Sequence, residues 1–560
     1  MNSPKIIGPV PDWEEHEKPS MPGSPASLAH SMPVRIAYAC VAVLIGLTGG
    51  LGAGLLSANL SSIAGQLGLT TAEATWLPAS YVMVSVTANL LVFKFRQQYG
   101  IRLFAELGLT LYAAVTILHL FVEGFEMALV VRGVSGFVSA ATSTLAVLYM
   151  LQSFPKAKLG AGLVVGLTIA QLATPLAWII SPSLLDGGDW RTLYLFEAGL
   201  ALCALAAVVI LKLPLGLRIQ VLERLDFVTF ALVAPGIALL AAVLAQGLNG
   251  WWADTPWLAW ALMASVALLT AAGILEYHRK KPLVQIRWLL NVATLRFVIG
   301  ALMMRFLLSE QTYGAVGLLR TLGMGPDQLQ GLYAVMLLGM VCGMAVSAYT
   351  FGEKTIVLQI LASVVLIAIG GWMDHQSTSL SRPQDFFLSQ FLLSFASAMF
   401  MGPLLMIGIM QALKHGADHM ITFMVLFAIT QSLGGLMGPA LLGTLQAERT
   451  QGYVQSISSH LDAGNLAVAQ RLAQQQGALA GRVTDPQLRG AQGAAQLAQV
   501  VRREASVRAY NDVFMVIVAL AMAFLAWSLY RVRRAAIEAR RIQAVAATTA
   551  AAPSGGATVA

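Results

Sequence analysis

Apolar residues in this chain come in long unbroken runs, with neither the strict alternation of strands nor the narrow stripe of a soluble helix. About 20 mostly apolar residues in helical form cross a bilayer core. On that basis the pattern predicts fourteen spans: 35–60, 74–95, 102–122, 126–150, 159–183, 192–212, 226–246, 256–276, 295–318, 329–351, 355–373, 385–411, 419–444 and 511–531. The roughly ten-residue alternating segments of a membrane barrel are missing. The fold class is therefore an all-α polytopic membrane protein. Polar connections between spans are short except at 445–510, a long loop rich in Ala, Gln and Arg, whose stretch "AGNLAVAQRLAQQQGALAG" has good helix formers, as for a helical hairpin, but no apolar run long enough to span.

Composition agrees: 57% of the 560 residues are hydrophobic and 11% charged, against about 25% charged in soluble domains. The formal charge of +8 is spread over loops at span ends, which is not the basic patch of a nucleic-acid binder. Residues 1–34 lack the basic start, apolar core and cleavage site of a signal peptide and read as a flexible tail. Cys40, Cys203 and Cys342 lie within apolar runs and read as small buried hydrophobes, implying neither disulfide nor metal. There is no P-loop, HExxH, CxxC or G-x-S-x-G, so neither an enzyme nor an ATP-driven pump is indicated. No cofactor is expected.

Lys and Arg set the orientation. The basic segments 93–102, 154–158, 276–287 and 530–541 fall on one side, while the short loops of the other hold only Arg191, Arg320 and Arg382. This predicts a multi-pass membrane protein with both termini cytoplasmic and 445–510 on the outer side. Spans 5 and 13 share an Ile-x-Gln (Ile169 and Gln171; Ile429 and Gln431) followed by helix-weakening Pro or Gly residues. If spans 7 and 8 are an insertion, the chain divides into a tail (1–34), a six-helix half (35–212), a two-helix central insertion (213–294), a second six-helix half (295–532) and a C-terminal tail (533–560). Transporters built from two repeated halves carry their substrate path between them.

Several stretches then carry a resemblance: "SSIAGQLGLTTAEATWLPASYVM" (61–83), "RGVSG" (132–136), "DWRTLYLFEAGL" (189–200), "QGLNGWWAD" (246–254) and "YNDVF" (510–514). In order and spacing the chain resembles the fourteen-helix drug:proton antiporters of the major facilitator superfamily, especially the EmrB-like multidrug efflux branch, over about residues 35–535. The departures are specific. Gly52 stands where the family has a span 1 Asp. Phe93, Gln97 and Gln98 replace the usual Gly and Asp-Arg pair of the basic loop, leaving Gly100 and Arg102. The span 5 antiporter motif has become "ATPLAWIISP", retaining Pro175 with Trp178 nearby.

Arg132 is the sole charge in residues 128–150, two turns into its span, where a cation costs about 2.5–3.5 kcal/mol on insertion scales. Gly133 and Gly136 beside it permit close helix approach. The resemblance gives Arg132 a part in proton coupling; a structural arginine bonded to carbonyls is the alternative. With no Asp at position 52, Glu310 of "MMRFLLSEQTYGAVG" is the leading proton carrier. Arg305 lies about 140° around the same helix. Glu106 and Glu197 are lesser candidates near helix ends, and His119 reads as interfacial. Fourteen of the 23 Met fall between 303 and 437, with Met336, Met340 and Met344 at one-turn spacing, as in adaptable binding surfaces. Together with Gln171, Trp178, Gln311, Gln390 and Gln431 they make a candidate substrate pocket. Gly402-Pro403 and Gly438-Pro439 mark bending points.

The expected function is proton-driven export of small amphipathic organic compounds by alternating access. The alternatives are an exporter dedicated to one metabolite, such as a siderophore or aromatic acid, and a non-transporting receptor or assembly subunit. The resemblance also implies a bacterial inner membrane, with a periplasmic adaptor and outer-membrane channel as partners; 445–510 is then the docking segment, or a cap on the outer mouth.

Overall fold

The computed structural model describes residues 6–7, 12–15, 17–19, 23–185, 187–416, 419–461, 466–481 and 483–550. Among them, fourteen helices are long and apolar enough to cross a membrane. They are α1 (Met32–Ala58), α2 (Thr71–Tyr99), α3 (Ile101–Leu118), α4 (Phe125–Ser153), α5 (Leu159–Leu185), α6 (Arg191–Ile210), α7 (Arg224–Gln246), α8 (Pro256–His278), α9 (Val292–Thr321), α10 (Pro326–Tyr349), α11 (Ile356–Asp374), α12 (Phe387–His415), α13 (His419–Ser458) and α14 (Pro486–Ala550). The all-helical class follows from the bilayer's demand that every backbone polar group be satisfied within its own segment.

Small residues decide how the helices pack. Gly46, Gly50 and Gly54 repeat every four residues on α1 and lie against Ile169, Ala170, Ala173 and Ala177 of α5. A methyl on Gly50 would stand 2.4 Å from the Ala170 carbonyl oxygen, so the glycine stripe thins α1 for this contact. Gly339 and Gly343 do the same for α10 against the Phe391 and Phe395 carbonyls of α12. Helices α1–α6 form one bundle and α9–α14 another. The two meet mainly where α5 packs on α10 and α12, and where α2 packs on α13. Exchanging span n with span n+8 turns the α5–α10 contact into the α2–α13 contact.

The hairpin α7–α8 packs on α2 and α13, and a buried ion cluster pins it. Asp226 accepts from Lys94 Nζ of α2 at 2.7 Å and from Arg279 Nη2 at 3.0 Å, while Arg279 Nη1 reaches Glu276 Oε1 at 2.6 Å. Glu276 also accepts from the Val284 N–H at 3.1 Å and from the Leu283 N–H.

Three expectations are corrected. First, part of the tail 1–34 is docked. The Gly23 and Ala26 amides donate to the carbonyls of Leu217 and Leu215, and Gln152 Nε2 donates to the Ala26 carbonyl at 3.1 Å. Its backbone groups find partners in the linker after α6, and Ala26 is fully buried. Second, 445–510 carries the helix its composition predicts at Leu466–Leu479, but it is not a loop set apart from the spans: α13 runs on into it to Ser458, and α14 already begins at Pro486. The good helix formers there need no apolar run to stay helical once α13 and α14 support one another, with Tyr453 Oη donating to Asp512 at 3.0 Å. Third, Cys40 and Cys203 are exposed on the perimeter and Cys342 is half-buried; an apolar run in a membrane protein has an outward face too. The C-terminal tail continues α14 as far as Ala550; residues 1–5, 8–11, 16, 20–22 and 551–560 of the two tails lie outside the described residues.

Candidate functional site

A cavity of about 1120 Å³ lies between the two bundles. Its walls come from α2 (Tyr81 to Arg96), α4 (Ser143 to Phe154), α5 (Leu159 to Gln171), α9 (Arg305), α12 (Met401 to Leu413) and α13 (Met424 to Leu436). These are the halves of the helices nearest the face at which α1 begins, so the cavity opens there. On the opposite face the bundles close. Trp178 stacks on Tyr333 with centroids 4.7 Å apart and planes 11° apart, Arg320 lies 5.7 Å from the Trp178 ring, and Gln330 Nε2 donates to the Ile179 carbonyl at 3.1 Å. Leu319, Leu329, Leu332, Met336 and Phe386 complete an apolar seal.

Two buried polar clusters flank the cavity. In the first bundle Arg132, 2% exposed, donates from Nη1 to the Gly52 carbonyl at 3.0 Å, with its guanidinium 4.8 Å from the Tyr81 ring centroid. This bond to a backbone carbonyl is the arrangement expected of a structural arginine. Glu197 of α6, 1% exposed, accepts from Tyr112 Oη at 2.7 Å. A methyl placed on Gly52 would lie 2.6 Å from both Glu197 Oε1 and Tyr112 Oη. The Glu197 carboxyl therefore fills the space that a side chain at position 52 would need. It is reached from α6 because Gly52 leaves room. No carboxylate is within ion-pair distance of Arg132 among the described residues.

In the second bundle span 9 is not a continuous α-helix. It breaks into a π-helical turn at Glu310–Ala315, a feature often found at functional sites. Glu310, fully buried, and Asp374, 3% exposed, share one partner. Gln390 Nε2 is 3.3 and 3.2 Å from the two Glu310 oxygens and 3.0 Å from Asp374 Oδ2. Two buried carboxyls on one amide make a place where a proton can be held between them. Gly438 of α13 packs on Ser309, one residue before Glu310, where a methyl would collide with the Ser309 hydroxyl.

The other sequence candidates are distributed as follows. Gln171 and Gln431 line the cavity. Trp178 and Met336 belong to the seal, Met340 is buried in α10, and Gln311 donates to Ser394 Oγ. Gln390 holds the carboxyl pair. Gly136 meets the Tyr81 carbonyl of α2, whereas Gly133 has only an ordinary contact with Val84. Pro175 is buried in α5, and Pro439 lies within α13 beside the Gly438 contact. Glu106 pairs with Lys212 at 3.3 Å on a half-exposed surface. His119, expected at the interface, is instead 2% exposed and stacked on Tyr194 at 4.3 Å.

Sequence reasoning missed Asp374, which closes an apolar run directly after "GGWM" and reads as a loop flank. It also missed Arg96, which belongs to the basic segment by sequence, but α2 continues to Tyr99 and turns Arg96 into the cavity wall.

Comparison with known proteins followed from this geometry. The family model described as Major Facilitator Superfamily matches residues 42–439. A protein of Escherichia coli (strain K12) described as the uncharacterized transporter YebQ is 23% identical over 197 residues, 35% of this chain and 43% of its own length; the match thus spans less than half of that relative. Among solved structures, the proton:xylose symporter XylE superposes with a TM-score of 0.52 at 13% identity, covering 89% of this chain and 97% of its own. The human organic anion transporter MFSD10 gives 0.50 at 13% over 88% and 100%, and PepTSo2 gives 0.53 at 11% over 89% and 99%. At these identities the likeness is one of fold.

Proposed function

Because the chain belongs to the Major Facilitator Superfamily and is a transporter, we propose that it exports amphipathic organic compounds by alternating access driven by inward proton flow. The observation that carries this reading is a large cavity between two bundles, open on one face and sealed on the other by the Trp178–Tyr333 stack. With the open face cytoplasmic, as the Lys and Arg distribution argues, this is the substrate-loading state. Rocking of the two bundles would open the seal and close the mouth.

Proton coupling falls to the two buried clusters. Neither Glu310 nor Glu197 lines the cavity, so protons and substrate communicate through helices. Span 9 supplies a direct route: Arg305 faces the cavity and Glu310 stands five residues later, at the start of the π turn. A change of charge at Glu310, Asp374 and Gln390 alters that turn, and with it the contact of Ser309 with Gly438 on α13. In the first bundle Arg132 and Glu197 bracket Gly52 in the same manner. The energy source is the proton gradient. The protruding ends of α13 and α14, with the Leu466–Leu479 helix, are the surface on which a periplasmic adaptor of a three-part pump would dock.

The test is transport in proteoliposomes with an imposed pH gradient, using wild type, Arg132→Ala, Glu310→Gln and Asp374→Asn. Gradient-driven flux that collapses with protonophore and in Glu310→Gln supports the reading. Flux indifferent to the gradient would remove proton coupling, and no flux of any amphipathic compound would favour the non-transporting alternative.

A further inference from the structure

Among the described residues, the charged side chains of the cavity wall are all of one sign: Arg35, Arg96, Lys156 and Arg305 line it, and no Asp or Glu does. Arg305 lies deepest. Among the described residues its guanidinium has no ion-pair partner and no hydrogen-bond acceptor. Its position is enforced by α13: a methyl on Gly434 would lie 2.8 Å from Arg305 Cβ, and one on Gly435 would lie 3.4 Å from its Nε and Nη2. The Gly434-Gly435 pair thus makes the room in which the guanidinium stands.

Two further groups of the lining are also unsatisfied. Gln431, one turn before Gly434 on α13, has neither its amide oxygen nor its amide nitrogen hydrogen-bonded, and Arg96 Nε is likewise without a partner. Buried polar atoms are normally paired, whereas Arg305 is half-buried and presents an unpaired guanidinium to the cavity. The rest of the lining beside them is apolar, including Leu163, Leu167, Met401, Leu405, Met424 and Phe427.

We propose that this is a binding site for an amphipathic organic carboxylate. Arg305 takes the carboxylate in a fork of parallel hydrogen bonds, a geometry a guanidinium suits and an ammonium does not. Gln431 adds a donor, and the apolar wall takes the body of the molecule. An organic cation entering the same cavity meets four like charges and no acceptor carboxylate. The inference rests on the transport reading only for its direction of movement; the selectivity belongs to the cavity itself.

The experiment is equilibrium binding to the full chain in lipid nanodiscs with three probes of identical body: 2-naphthoate, 2-naphthylmethanol and 2-naphthylmethylammonium. A hydrogen bond to a charged group contributes about 1.5–3 kcal/mol, so the carboxylate should bind about tenfold to a hundredfold tighter than the alcohol. The ammonium should bind weakest. Arg305→Gln should erase the carboxylate's advantage while leaving the alcohol unchanged, and Arg305→Lys should restore it only in part. The alcohol serves as the internal check that each variant is folded. Equal binding of the three probes, preference for the ammonium, absence of carboxylate binding, or an Arg305→Gln variant that still prefers the carboxylate would overturn the proposal. Charge-selective binding without gradient-driven flux would instead overturn only the transport reading, and flux without charge selectivity would overturn only this one.

Discussion

The ion cluster under the central hairpin permits a quantitative prediction. Its inner members are two cations and two anions, with side chains 8% (Lys94), 6% (Arg279), 0% (Asp226) and 1% (Glu276) exposed. At an effective dielectric of about 20, the Arg279–Glu276 contact at 2.6 Å is worth about 6 kcal/mol of attraction. Burial of the two ions offsets most of that, at several kcal/mol each. The intact pair is therefore nearly neutral in net stability, but a stranded member is not. Arg279→Met leaves Glu276 buried with only Thr229 and the Leu283 and Val284 amides around it. The expected loss is about 3–5 kcal/mol of unfolding free energy. Arg279→Met with Glu276→Gln should recover much of it, because the amide oxygen can still accept from both backbone N–H groups without carrying a charge. Reversible unfolding in mixed micelles measures both, and the double-mutant cycle should give a coupling energy of about 1–3 kcal/mol. A single variant that loses less than about 1 kcal/mol, or a double whose loss is the sum of the singles, would refute the argument.

Other outcomes are as definite. Gly136→Ala places a methyl 2.2 Å from the Tyr81 carbonyl, a backbone atom that cannot step aside, and should cost about 1–3 kcal/mol in thermal unfolding. Gly133→Ala, with 3.6 Å to Val84, should be nearly silent in the same assay. Gly52→Asp should destabilise by collision with Glu197 and Tyr112, and adding Glu197→Ala should restore folding and transport together, since one carboxyl then replaces the other. Trp178→Ala removes a stacked contact worth about 0.5–1.5 kcal/mol, so the outward-open population should rise roughly threefold to tenfold. Thiol labelling of Gln330→Cys in a chain with Cys40, Cys203 and Cys342 replaced by Ser reads that change; unchanged labelling would exclude Trp178 from the seal.

What the sequence determined by itself is what the bilayer dictates. A helix that must satisfy its own backbone and face lipid has to be long and apolar, so fourteen spans were visible as fourteen runs. Their ends were less visible. The helix formers within 445–510 were legible, but not that α13 and α14 carry on into the segment and support each other beyond their apolar runs, a relation no local window contains. Nothing local in the chain says what the glycine stripe of α1 packs on; α5 supplies that surface.

The site followed the same division. Arg132 and Glu310 stood out because an isolated charge in an apolar run is costly and therefore needs a reason. Their partners did not stand out, because partnership is a matter of three helices meeting. Asp374 looked like the first residue of a loop until α12 brought Gln390 between it and Glu310. Glu197 looked like a helix-end carboxyl until the missing side chain at Gly52 gave it a place. The single-sign character of the cavity was beyond any reading of the chain alone. Arg35, Arg96, Lys156 and Arg305 are scattered over 271 positions (35 to 305), and only the meeting of two bundles put them in one wall. Sequence fixes which helices exist because solvation acts residue by residue; tertiary structure decides which charges face one another because that depends on the rotation and crossing of whole helices.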